Sequence, residues 1–254
     1  MNDILTDILA SPKYRDVVPE AALRVFEQEE KKYKKRADLD KAVRRRLHAL
    51  TGAFFAPEEK KRAAELLNGP YSPEALAALL NTHASTRERM PQDRYALLFD
   101  RIRSATDGMG KTLDLACGLN PLYLGARGIT VHGADLDLGA VRLIGTAAGK
   151  WGLPVSAEGM DLMNARPEGE YDTALFFKLL PILETEKKGA GAALFRDVRA
   201  RFKVVSFPTR SLGGRRCGMA ENYGRWFDEN AAADITVLDR FETENELVII
   251  TEAR

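Results

Sequence analysis

Between Ile4 and Ile102 the apolar residues recur at intervals of three and four, the spacing that lines one face of an α-helix. Hardly any stretch there alternates as a half-buried strand would. Ser11-Pro12 and Val18-Pro19 interrupt the first short helices, Pro57 opens another at Glu58, and Asn68-Gly69-Pro70 closes it. Residues 1–105 therefore predict a small all-helical domain. The texture changes at the polar, Gly-containing stretch 106–110, after which strand-like runs at 112–116, 130–135, 154–161, 173–177 and 203–207 alternate with helical ones. That alternation predicts a mostly parallel sheet covered by helices on both faces. The runs 235–241 and 246–251 are separated by a short polar turn, too brief for a crossover helix, so they should pair antiparallel. The expected fold class is α/β: a doubly wound sheet over residues 106–254, finished by an antiparallel C-terminal hairpin and preceded by the helical domain.

Composition narrows the setting. Of 254 residues 45% are apolar and 30% charged, as in ordinary soluble proteins, and no run approaches the roughly 18 apolar residues of a membrane span. The first ten residues mix acidic and apolar positions where a signal peptide would be basic and then apolar, so a cytoplasmic protein with no membrane contact is expected. Cys117 and Cys217 lie far apart, with no further ligand at metal spacing; two free thiols and no metal site are expected. The formal net charge of +1 conceals an uneven distribution. Between Lys13 and Arg62 there are 15 Lys and Arg against 9 Asp and Glu, a local excess of +6 that leaves about −5 for the rest. A basic module of this kind suits a nucleic-acid or anionic-membrane contact, and equally a solvated helix face paired with local Glu.

The candidate chemistry lies at the ends of the predicted strands. The first runs into Asp114-Leu115-Ala116-Cys117-Gly118-Leu119-Asn120-Pro121-Leu122, a turn whose small residues let a ligand approach the backbone at the carboxyl edge of the sheet. The second ends in Gly133-Ala134-Asp135, placing a carboxylate where a ribose diol can donate to it. The third ends in Gly159-Met160-Asp161-Leu162, where Asp161 and the next backbone N–H can hold an adenine edge. A dinucleotide would need a G-x-G-x-x-G turn to seat its pyrophosphate, and only Gly118 precedes Pro121. S-adenosylmethionine has no phosphate and suits a single-glycine turn.

The motifs Thr82-His83-Ala84-Ser85-Thr86-Arg87-Glu88-Arg89, Asp114 to Leu122, Phe177-Lys178-Leu179-Leu180-Pro181 and Ser206-Phe207-Pro208-Thr209-Arg210-Ser211-Leu212-Gly213-Gly214-Arg215 together resemble the aminoglycoside-resistance 16S rRNA methyltransferases. These enzymes methylate N7 of guanine 1405 in the small ribosomal subunit, and the likeness runs over nearly the whole chain. It implies a Rossmann-like methyltransferase sheet, S-adenosyl-L-methionine as cofactor with S-adenosyl-L-homocysteine as product, and 16S rRNA in the 30S subunit as partner. No obligate protein partner and a monomer are expected. Carried over by residue, it puts Ser85 and Arg87 beside the methionine end of the cofactor, with Arg87 meeting the carboxylate, and Ala116, Gly118 and Asn120 around the same tail. Asp135 takes the ribose and Asp161 with Leu162 the adenine, Leu136 and Phe177 also count among the cofactor-binding residues, and Phe177-Lys178 lines the pocket below the target base. The departures are a second strand end that reads Gly-Ala-Asp-Leu-Asp and Arg216-Cys217 within the late loop.

Guanine N7 has a free lone pair and no proton, so its methylation asks for alignment rather than a general base. The expectation is that His48, His83 and His132 form no triad with any serine or cysteine. The target guanine must leave its stack, at a cost of a few kcal/mol. Arg210 and Arg215 in the Gly-rich loop after the fifth strand are candidates to clamp it, with Lys178, and with Tyr223 or Trp226 as stacking partners. Lys13, Lys32, Lys35, Arg44, Arg46, Lys60 and Arg62 are the candidates for docking on RNA. The alternatives are a methyltransferase of another rRNA base or of a small molecule, with the helical domain as a lid, and an RNA-binding relative without catalysis.

Overall fold

In a computed structural model of the chain, residues 3–52, 54–209, 219–231 and 234–254 are described. Seven helices come first: α1 (Asp3–Ala10), α2 (Pro19–Glu30), α3 (Arg36–Leu47), α4 (Pro57–Leu66), α5 (Pro73–Leu80), the single turn α6 (Ala84–Arg87) and α7 (Arg94–Ala105). Their starts follow the sequence chemistry. Pro19, Pro57 and Pro73 occupy the first turn, where a missing N–H costs nothing, and the Ser72 hydroxyl accepts the Ala75 N–H at 3.1 Å as an N-cap.

The α/β part runs β1 (Thr112–Leu115), α8 (Asn120–Gly125), β2 (Val131–Asp135), α9 (Leu138–Trp151), β3 (Val155–Gly159), β4 (Tyr171–Phe177), α10 (Leu179–Glu186), α11 (Ala190–Asp197), β5 (Ala200–Pro208), α12 (Met219–Asn230), β6 (Ile235–Glu242) and β7 (Glu246–Ala253). Every expected strand is present, and the sheet order is β3-β2-β1-β4-β5-β7-β6. Strands β1 to β5 pair in parallel, while β7 is antiparallel to both β5 and β6. The order reverses between β1 and β4, so the carboxyl ends of β1, β2 and β4 open on the crevice where open α/β sheets bind ligands.

Apolar packing does not divide at residue 106, where the change of texture put the domain boundary. Phe55, Leu67, Leu79, Leu80, Phe99 and Ile102 share one core with Leu122, Ile144, Leu175 and Ile250, so α4, α5 and α7 cover a face of the sheet. Leu180, Phe195 and Phe227 close the opposite face against Phe176, Val205 and Ile249. Only the first three helices keep a core of their own, built on Leu5, Ile8, Val25, Phe26, Val43 and Leu47. A helical pattern reports which face is apolar, not which partner covers it. No described helix is long and apolar enough to cross a membrane.

Candidate active site

The turn after β1 is shaped by two left-handed residues, Ala116 at φ 55° and Gly118 at φ 51°. For Ala116 that conformation costs about 1–2 kcal/mol, which the neighbouring hydrogen bonds offset. The Ala116 and Cys117 N–H groups both donate to the Ala134 carbonyl, at 2.8 and 3.3 Å, lashing the turn to β2. Gly118 has a second constraint. A Cβ there would lie 2.6 Å from Cε1 of the buried His83 imidazole. His83, with its Nδ1 2.9 Å from the Ser85 hydroxyl, is pushed down to about 3 by burial and by the charges of Lys60, Arg87 and Arg89. It is a neutral wall of the turn and takes no proton at neutral pH.

Asp135 closes β2 beside this turn. Its Oδ2 accepts the Gly118 N–H and its Oδ1 the Asp137 N–H, both at 2.8 Å, which fixes the carboxylate in one orientation. Each oxygen keeps a lone pair, and the residue is half-buried, so two hydroxyls of a ribose fit the remaining positions. Burial raises Asp135 to about 6 against those two donors, leaving it ionised at neutral pH. Leu136 follows, half-buried against the N-terminal core.

Asn120 lies beneath the turn. Its Nδ2 donates to Asp114 Oδ2 at 2.6 Å and its Oδ1 accepts from the Tyr95 hydroxyl at 3.1 Å, all three residues being buried. Burial pushes Asp114 up to about 7. Tyr95, brought in by α7 and stacked on Tyr123 with ring centroids 3.9 Å apart, carries no signature in sequence; only the packing of α7 on the sheet reveals it. Arg87 sits at the surface with its Nη1 2.7 Å from Glu59. At the end of β3, Asp161 is buried and bonded by Arg24 of α2, another partner with no motif to announce it.

At the next strand end along the same edge, Phe177 ends β4 and Lys178 follows at φ 54°, its N–H donating to the Ser206 carbonyl at 3.0 Å. Lys178 Nζ reaches Glu88 at 2.5 Å and Glu246 at 3.3 Å. The buried Arg89 holds Glu246 at 2.7 Å and lies 4.6 Å over the Phe177 ring. Arg89 and Lys178 keep Glu246 ionised against its burial. Two cations and two carboxylates thus cancel in the floor of the crevice. Tyr223 stacks on Phe207 with ring centroids 5.1 Å apart, committing one face of its ring to the core, and Trp226 meets the same phenylalanine edge-on. Arg210 and Arg215 lie outside the described residues.

The basic candidates divide into two groups. Lys13, Lys32, Lys35 and Arg62 are exposed, Lys32 also pairing with Glu29 at 2.8 Å. Arg44 is half-buried on Asp40. Arg46 and Lys60 depart from the expected phosphate-facing surface: Arg46 is tied to Glu29 and Glu186, and Lys60 to Asp16 and Asp137, because the first helices fold back onto the sheet. The histidine expectation is also corrected at one position. His132 bridges the Ser156 hydroxyl at 2.9 Å and Glu158 at 3.0 Å, since parallel pairing of β2 and β3 brings His132 opposite Ser156 and residues two apart share a face. The group stands three residues before Asp135, away from the ligand-binding edge.

A parallel doubly wound sheet ending in an antiparallel pair, with a glycine turn and a fixed carboxylate at adjoining strand ends, defines the class of Rossmann-like S-adenosylmethionine-dependent methyltransferases. Within that class the chain belongs to the FmrO family of ribosomal RNA methyltransferases, whose model matches residues 10–250. It is 39% identical to a 16S rRNA (guanine(1405)-N(7))-methyltransferase of Serratia marcescens, over 98% of this chain and 97% of that one. A namesake from Micromonospora echinospora is 32% identical over 85% of this chain and 82% of its own. Among solved structures, the 16S rRNA methyltransferase RmtF in complex with S-adenosyl-L-homocysteine superposes with a TM-score of 0.92 at 41% identity, covering 99% of this chain and 97% of that one. The 16S rRNA methylase RmtB does so with 0.87 at 35%, covering 100% and 98%.

Proposed function

We propose that the protein methylates N7 of guanine 1405 in 16S rRNA of the 30S subunit, acting as a monomer in the cytoplasm and protecting ribosomes from aminoglycosides such as kanamycin and gentamicin. The observation that carries the cofactor half of this reading is the Asp135 carboxylate, clamped by two backbone N–H groups beside a turn whose Gly118 admits no side chain. Membership of the family and the names of its relatives supply the substrate.

S-adenosyl-L-methionine would supply an electrophilic methyl group to an unprotonated nitrogen. Asp135 and Leu136 would hold its ribose, and Ala116, Gly118 and Ser85 would face its amino-acid end with Arg87 at the carboxylate. The Leu162 N–H, for which no described residue supplies an acceptor, would take the adenine edge, with Asp161 shaping that loop. The protein's own work is positioning. Phe177 and Lys178 form a rigid, charge-neutral floor under the target base, and no side chain has to move a proton. Arg210 and Arg215 would clamp the extruded nucleotide, and the exposed Lys13, Lys32, Lys35 and Arg62 would meet phosphates around it.

The test is transfer of a labelled methyl group to intact 30S subunits, followed by primer-extension mapping of 16S rRNA from cells expressing the chain after borohydride reduction and aniline scission, which cut the strand at an N7-methylated guanine. A stop at guanine 1405 and growth on gentamicin are expected; modification of another site, or of none, overturns the proposal.

A further inference from the structure

Two loops at the cofactor edge are held from outside the sheet. After β2, the Val18 N–H donates to the Leu136 carbonyl at 3.0 Å and the Leu138 N–H to the Asp16 carbonyl at 2.7 Å, a short antiparallel bridge between residues 16–18 and 136–138. Lys60 spans Asp16 and Asp137 across it, at 3.1 and 2.8 Å. After β3 the contact is a single side chain. Arg24, on α2 and only 10% exposed, sends Nε to Asp161 Oδ2 at 2.7 Å, Nη2 to Oδ1 at 3.3 Å, and Nη1 to Glu186 at 2.9 Å.

The remaining donors to Asp161 come from its own loop. The Met163 N–H reaches Oδ1 at 3.2 Å and Asn164 Nδ2 reaches Oδ2 at 3.3 Å. The Asp161 carbonyl accepts the Asn164 and Ala165 N–H groups, both at 2.9 Å. A carboxylate offers about four lone-pair positions, and all four here are filled from within the protein. Asp161 therefore has none left for an adenine amino group, and its charge is buried against one cation. Without the guanidinium it would keep only the two contacts from its own loop, at 3.2 and 3.3 Å, and the loop would gain by turning the carboxylate toward water.

We infer that Arg24 is a positioning residue for cofactor binding: from the N-terminal helices it holds Asp161, and through it the loop at residues 160–165, in the form that presents the Leu162 N–H. The inference rests on the cofactor reading above. It gives α2 a part in the site that neither its charge pattern nor any motif suggests.

The test compares Arg24→Met, which keeps the length of the side chain, Arg24→Lys, which keeps a charge without the fork, and Glu186→Gln, which disturbs the other end of the same ion-pair chain. Titration calorimetry without RNA reads the S-adenosyl-L-homocysteine Kd, and hydrogen exchange on the ligand-free protein reads the Met163, Asn164 and Ala165 amides. Arg24→Met should weaken binding about tenfold and speed exchange at those amides. Arg24→Lys should recover part of both, and Glu186→Gln should shift the Kd less than twofold. An Arg24→Met protein with unchanged Kd and exchange overturns the inference, as does a Glu186→Gln shift as large as that of Arg24→Met. If the unaltered protein binds no S-adenosyl-L-homocysteine, the cofactor reading itself fails, an outcome distinct from a variant that binds normally.

Discussion

Asp114 stands directly below the glycine turn after β1, buried, with a proton affinity lifted to about 7 by desolvation and only partly lowered by Asn120. A carboxyl raised in the folded state binds more protons than in the unfolded chain between its ordinary value, near 4, and about 7. It therefore supports folding best at the acid end of that window, and that support is lost as pH rises through about 7. Asp135, raised to about 6, acts in the same direction. Urea denaturation across pH 5 to 8 should show Asp114→Asn gaining stability relative to the unaltered protein as pH rises; parallel curves would refute the assignment. Gly118 makes a sharper prediction. A methyl group there meets the His83 ring at 2.6 Å, in a backbone conformation that disfavours any side chain, so Gly118→Ala should cost about 1–3 kcal/mol. S-adenosyl-L-homocysteine affinity should fall at least tenfold, read by calorimetry. The glycine and both aspartates were legible in the sequence because a turn glycine and strand-end carboxylates recur at fixed spacings. Tyr95 and Arg24 were not, since each reaches the site from a helix whose docking no local pattern encodes.

At the scale of elements, the pair Arg89–Glu246 joins the segment after α6 to the start of β7, both side chains being nearly excluded from solvent. Breaking such a pair from one side strands a buried charge, although Lys178 at 3.3 Å from Glu246 softens the loss. Arg89→Met should destabilise the fold by about 3–5 kcal/mol, and the double variant Arg89→Met/Glu246→Leu should recover a large part of it, as measured by a denaturant double-mutant cycle. Equal losses in the single and double variants would show that the pair's electrostatics matter little. The strands themselves were readable, including the final hairpin, because parallel buried strands are short apolar runs and a brief polar turn forbids a crossover. The helices were readable as helices, yet α4, α5 and α7 proved to be one cover of the sheet. Their apolar faces match that role as well as they match a separate bundle.

For the whole molecule, the positive excess before residue 62 is smaller in effect than its count suggests. Lys60, Arg24 and Arg46 neutralise Asp137, Asp161 and Glu186 on the α/β part, while Lys13, Lys35 and Arg62 are among the cations of that region that stay exposed. Binding to 30S subunits should weaken steeply with salt. Lys35→Ala should lower the slope of log K against log salt by about 1 with stability unchanged. Lys60→Ala should instead lower the thermal midpoint and leave that slope near its original value, and the reverse pattern would place Lys60 on the RNA face. The sequence alone determined the sheet, its strand ends, the single-glycine turn and the family resemblance, all set by residue types at short, regular spacings. Which cations are spent inside the protein, which helices belong to the sheet's core, and what holds Asp161 and Asn120 were decided only by the tertiary structure. Those contacts join residues 24 with 161 and 95 with 120, and a charge or a hydroxyl takes its partner from whatever the fold places within hydrogen-bonding distance.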